Sequence, residues 1–257
     1  EDEFDTILKK NCKVWLEGVN NKLYRSQRYM GPYVYTDARG TKRTSIENIN
    51  IHIDLMDSLD CWSEYPKYSQ AIIGISDNPL INYGSGDSMV YEIIPFDGMK
   101  IAVCPDSNIW SSFSKDGRFG EYIYSLDSFL SEMKLDDDIY FQQPNKPRHL
   151  NVLRLKEVLI SIGNIHKYCE SKSITHYVIN DFLRKIRAFS QREHIDEITG
   201  EDVYNVIENE MFNPDARRFK LDTYDRDFSI KTDRQIWCSG PVLLVNKNLV
   251  AKLKEDI

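Results

Sequence analysis

Three side chains stand at the edges of apolar runs, where groups that do chemistry are commonly placed. Arg25 follows Leu23 and Tyr24 in "KLYRS", Ser76 closes "AIIGIS", and Gln235 leads into "IWCSGPVLLV". Alternate side chains of a strand share a face, so Leu23 and Arg25 point one way and Tyr24 the other. An arginine on a leucine's face calls for an anion, and its planar fork of donors matches a diphosphate as well as a carboxylate. Either a ligand or an acid at the core edge would answer it. A serine hydroxyl at a strand end orients a ligand or a neighbouring side chain, but Ser76 also precedes the turn-forming Asp77-Asn78-Pro79. Tyr83 in "NYGSG" offers a ring for stacking on a flat ligand or for joining a core. Gln235 is a neutral amide at the mouth of a buried strand.

Several standard chemistries are missing from the sequence. It has no G-x-G-x-x-G after a strand, no G-x-x-x-x-G-K-[ST], no G-x-S-x-G and no H-E-x-x-H. The glycines of Tyr83–Gly86 make only a weak phosphate loop. His166, Cys169 and His176 lie close in sequence but at helix-face spacing, short of the four closed ligands of a structural zinc, and no metal is expected. The five cysteines are widely spaced with no C-x-x-C pair, which reads as reduced thiols of a cytoplasmic protein. The net charge of -7 gives no general attraction to nucleic acid or anionic membrane. No apolar run approaches the roughly 20 residues that span a bilayer, and "EDEFDTILKK" is unlike a secretory signal.

The elements that must position these residues fall into three parts. Residues 1–143 read as strand-rich: an N-terminal helix stopped near Gly18, strands at "KLYRS" and "SQAIIGIS", and a helix beginning at Ser45. A hairpin of "MVYEIIPF" and "MKIAVCP" turns at Asp97-Gly98, and a short helix is capped by Ser125. Residues 144–214 read as amphipathic helices, one of them opened by Thr199 and Asp202 as a capping pair. Residues 215–257 return to strand character.

Arginine, then serine at a strand end, then a residue entering a late strand is an order that resembles the mono-ADP-ribosyltransferases of the Arg-Ser-Glu class. The chain is more closely similar to an ADP-ribosyltransferase-like group of bacteriophages and bacterial toxin systems. The likeness rests on Leu23–Arg25, Thr41–Ser45, Trp62, Tyr65 and Pro66, the strand ending at Ser76, Tyr83-Gly84, and "VYEIIPFDGMKIAVCPDSNIW" from Val90 to Trp110. Near the C-terminus, Arg234, Ile236, Trp237, Gly240 and Pro241 follow the group's "R-E-I-W…G-P" pattern, with Gln235 where that pattern has Glu. The resemblance does not cover 144–214.

The resemblance implies an α+β fold with a split, mostly antiparallel β core. Residues 1–143 and 215–257 would form the catalytic domain, with 144–214 a helical insertion. It implies NAD as substrate, with Arg25 and Tyr24 at its diphosphate or ribose, Ser76 buttressing the nicotinamide and Tyr83 lining its pocket. A glutamate at 235 would hold the ribose 2'-hydroxyl and stabilise the cationic centre left by departing nicotinamide; an amide keeps the shape and loses the charge. Gln235 then marks either a degenerate NAD-binding or interaction module, or a Glu-to-Gln exchange that makes a poisonous enzyme tolerable; the intact flanking pattern favours the second. The acceptor would be a macromolecule, protein or nucleic acid, or water in an NAD glycohydrolase. The setting would be phage defence or a toxin–antitoxin pair, with an antitoxin or chaperone as partner.

Overall fold

The structure, a computed structural model, describes residues 2–40, 50–77, 88–113, 118–141, 148–174, 176–187 and 198–256. Thr41–Ser45, the helix start at Ser45, and Tyr83 with its glycines lie outside the described residues. The fold is α+β. Two compact units divide it, Glu1–Arg43 with Glu64–Ile109 and Phe219–Ile257, and Thr44–Ser63 with Trp110–Arg218. The expected segments meet instead at 143/144 and 214/215.

Among the described residues the first unit holds eight antiparallel strands, in chain order β1 (Leu23–Arg28), β2 (Tyr33–Asp37), β3 (Ile72–Ser76), β4 (Ser88–Pro95), β5 (Lys100–Val103), β6 (Lys220–Thr223), β7 (Gln235–Cys238) and β8 (Pro241–Asn246). Their order across the sheet is β2-β8-β4-β1-β3-β7-β5-β6. β1 pairs with β4 along six residues, Leu23–Arg28, but with β3 only through Leu23–Ser76 and Tyr24–Ile75. The sheet is therefore two four-stranded halves joined by a two-residue splice. Gly74 sits where the halves part. A Cβ there would collide with Ile93 Cδ1 and lie 2.7 Å from the carbonyl oxygen of Tyr24, so only glycine lets the strands cross this closely.

Alternation sorts the apolar side chains onto two faces. Leu23, Tyr91, Ile93, Ile236, Cys238, Val242 and Leu244 join Tyr224 and Phe228 in one core. Ile94, Leu243 and Val245 lie on the other face under Leu8 and Trp15 of the N-terminal helices Asp2–Asn11 and Lys13–Glu17 and Cys12 between them. Full burial of each such side chain stabilises the fold by about 1.5–3 kcal/mol.

The expected hairpin of β4 and β5 does not form. The turn exists, closed by Met99 N–H to Phe96 O at 3.1 Å, but β4 pairs with β1 and β8 while β5 pairs with β6 and β7. Asp97 is drawn away by capping the second N-terminal helix, accepting from the N–H groups of Lys13 and Val14 at 2.9 and 3.0 Å. The Gly240-Pro241 stretch likewise separates two strands, β7 and β8, that belong to different halves.

The second unit is mainly helical. Phe113, Phe119 and Phe212 cluster with centroids 4.4–5.5 Å apart, and Phe129 stacks on Phe182 at 4.4 Å to join helices Phe119–Glu132 and His176–Ile186. Ser125 is no cap; it lies inside the helix Phe119–Glu132, where its hydroxyl accepts from Lys185 Nζ at 2.5 Å. Thr199 and Asp202 do form a capping box. Gly163 has φ +63 and ends one helix, and Asn164 caps the next through Lys167 N–H at 2.9 Å. All five cysteines are free. Among the described residues no helix is long and apolar enough to cross a membrane.

Candidate functional site

Arg25, Ser76 and Gln235 lie on three successive strands, β1, β3 and β7, although up to 210 positions separate them in the chain. Arg25 is the first residue of β1 beyond the splice, opposite Tyr91 of β4. The thiol of Cys238 senses its charge: burial pushes that thiol up to about 12 while Arg25 pulls it back. The guanidinium thus lies on the face of Leu23 and Cys238, as alternation requires.

Ser76 is fully buried and directs every polar group at the residues that precede β7. Its N–H donates to Arg234 O at 3.0 Å and its carbonyl accepts from Asp233 N–H at 3.0 Å. Its hydroxyl donates to Lys231 O at 2.6 Å and accepts from Arg234 N–H at 3.0 Å. It acts on the β7 lead-in rather than presenting a bare hydroxyl to solvent.

Gln235 is 8 % exposed. Its N–H donates to Asp106 O at 3.1 Å, its carbonyl accepts from Cys104 N–H at 2.8 Å, and its Oε1 accepts from Ile109 N–H at 2.7 Å. Arg234 braces the same loop, reaching the carbonyl of Pro105 and lying 3.8 Å from the Asp106 carboxylate. The register pairs Gln235 with Ile75, and Ile75 with Tyr24. Paired residues share a face, so Tyr24 and Gln235 lie on one face and Arg25 and Ser76 on the other. The three segments converge; the side chains divide two and two across the ladder.

The row containing Tyr24 and Gln235 continues to Glu92 on β4, a residue the sequence reading passed over. It is 2 % exposed and accepts from Trp15 Nε1 at 2.7 Å. Burial raises its pKa against the opposing pull of the indole hydrogen bond, Lys22 and Lys254. Tyr24 is pushed up to about 12, by burial first and then by Glu92 and Asp77. The available signal was an acid set within the apolar run "VYEIIP".

Chemically, the two faces offer different things. One has a guanidinium at the point where the half-sheets part, suited to an oxyanion. The other has an amide at the start of a strand, which a carboxylate would replace without change of shape. Among the described residues no group of three or more His, Cys, Asp or Glu is placed to hold a metal. Comparison with family models, with curated proteins and with solved structures finds no match to this chain.

Proposed function

We propose that this chain is built as an NAD-dependent mono-ADP-ribosyltransferase, a glycosyl transferase that moves ADP-ribose from NAD to a protein or nucleic-acid acceptor. One observation carries the reading: the strands bearing Arg25, Ser76 and Gln235 are consecutive neighbours around the splice of a split antiparallel sheet. In this reading Arg25 receives the diphosphate, Ser76 fixes the approach to β7, and position 235 is where a glutamate would meet the cationic ribose. Gln235 supplies hydrogen bonding without the charge, so the chain binds NAD and turns it over slowly. A cytoplasmic toxin of phage defence or of a toxin–antitoxin pair, held in check by an antitoxin, suits such an activity.

A second reading has its own support. The Gln235 amide oxygen is already bonded to Ile109 N–H, and its register turns it from Arg25. That favours an ADP-ribosyltransferase-like binding module without chemistry.

The deciding experiment is Gln235→Glu with labelled NAD. Charge matched to a developing cation is worth about 10²–10³ in rate, so NAD cleavage should rise at least about a hundredfold. Label on protein or RNA supports the transferase. Free ADP-ribose as the sole product makes it an NAD glycohydrolase, and unchanged turnover leaves the binding module.

A further inference from the structure

β7 has only four residues, and all four are buried. A strand buried on both faces has no apolar–polar alternation to fix its register. A slip of one residue would exchange Gln235 and Ile236 between faces. Something other than hydrophobic patterning must therefore fix where position 235 lies.

The residues before β7, Ile230–Arg234, lie outside any strand, yet their backbone groups are met by side chains and main chain of two distant segments. Asn21, 7 % exposed, accepts from Ile230 N–H with Oδ1 at 2.6 Å and donates from Nδ2 to Ile230 O at 2.9 Å. The same Nδ2 donates to the Asp77 carboxylate. Asp77 is held in the left-handed region at φ +50, its carboxylate accepting from Lys22 N–H at 2.7 Å and its own N–H donating to Lys22 O at 2.7 Å. Ser76 takes Lys231 O, Asp233 N–H and both backbone groups of Arg234. The Asn21 amide thus imitates one rung of a β-ladder, and Asp77 orients it. Buried amides that are fully satisfied specify position as well as contributing stability.

We propose that Asn21 is a positioning residue: oriented by Asp77 and working beside Ser76, it pins the backbone of Ile230–Arg234 so that residue 235 enters β7 in a single register. The link is direct, because Asn21 lies two residues ahead of β1, and β1 carries Arg25. The register of β1 and that of β7 are thereby locked together. The consequence for catalysis rests on position 235 being the reacting position; the locking of the backbone does not.

Hydrogen exchange on the full chain tests it, using Asn21→Ala and the milder Asp77→Asn, which tolerates left-handed backbone. In Asn21→Ala the amides of Ile230, Asp233, Arg234 and Gln235 should exchange at least about tenfold faster, as expected for losing hydrogen bonds of this kind, with β4 and β8 unchanged. Asp77→Asn should accelerate the same amides by less. Unchanged exchange at these amides in both variants, or acceleration spread equally over β4 and β8, overturns the proposal. In a Gln235→Glu background, Asn21→Ala should lower kcat while leaving NAD affinity intact, and loosened exchange with unaltered kcat overturns the positioning role. Absence of NAD turnover in Gln235→Glu alone overturns the reading of position 235, and exchange then decides the register lock by itself.

Discussion

At the scale of single residues, Glu92 is an acid placed in the core at a cost. It is buried beside Trp15 with its pKa raised by burial. A carboxyl whose folded pKa exceeds its unfolded value adds stability that is fully present below the unfolded pKa and is lost as pH rises through the folded one. Glu92→Gln keeps an acceptor for the indole and removes that loss. Thermal unfolding should therefore show Glu92→Gln melting higher than the parent chain at neutral pH. The two proteins should converge as pH falls below the usual glutamate range; a constant difference at all pH would assign the effect to packing. The residue types of Arg25, Ser76 and Gln235 were legible in the sequence because each stands at the edge of an apolar run, although Arg25 proves to lie within β1 rather than at its end. Their division between faces was not, since "QIWC" is buried throughout and offers no alternation to read.

At the scale of elements, the strands were mostly legible and their partners were not. "MVYEIIPF" and "MKIAVCP" are strands with a turn between them, and their proximity in sequence suggested a hairpin. Side-chain capping by Asp97 and the later insertion of β7 and β8 part them into different halves. Such long-range pairings leave no trace in local propensity. The splice depends on one small residue. Gly74→Ala would drive a methyl group onto Ile93 Cδ1 and the Tyr24 carbonyl, a contact with backbone that cannot simply rotate away. Overpacking of this kind costs about 1–3 kcal/mol, or more where the backbone must move. A lower urea midpoint for Gly74→Ala with an unchanged slope is the expected result, and an unchanged midpoint would show that the half-sheets separate freely there.

At the scale of the whole molecule, several cations of the helical unit are paired with acids among the described residues. Arg148 lies 2.6 Å from Asp136, Arg154 2.9 Å from Glu157, and Arg184 and Lys185 lie 2.7 and 2.8 Å from Asp181. With these cations matched by acids and a net charge of -7, random duplex DNA should bind the full chain no tighter than about 10⁻⁵ M at physiological salt. Fluorescence anisotropy across a salt series measures this, and tight binding with a steep salt slope would contradict it. The sheet order also has a meaning in time. β7 and β8 are the last of the described strands, yet each occupies an interior place, β8 between β2 and β4 and β7 between β3 and β5. As the chain leaves the ribosome, each half-sheet waits with a strand-wide vacancy from Val103 until Asn246 has been added. At about 10 residues per second that wait is on the order of ten seconds. Through all of it the two halves remain open-edged, and β1, β3 and β7 cannot become neighbours until the strand that carries position 235 has been made.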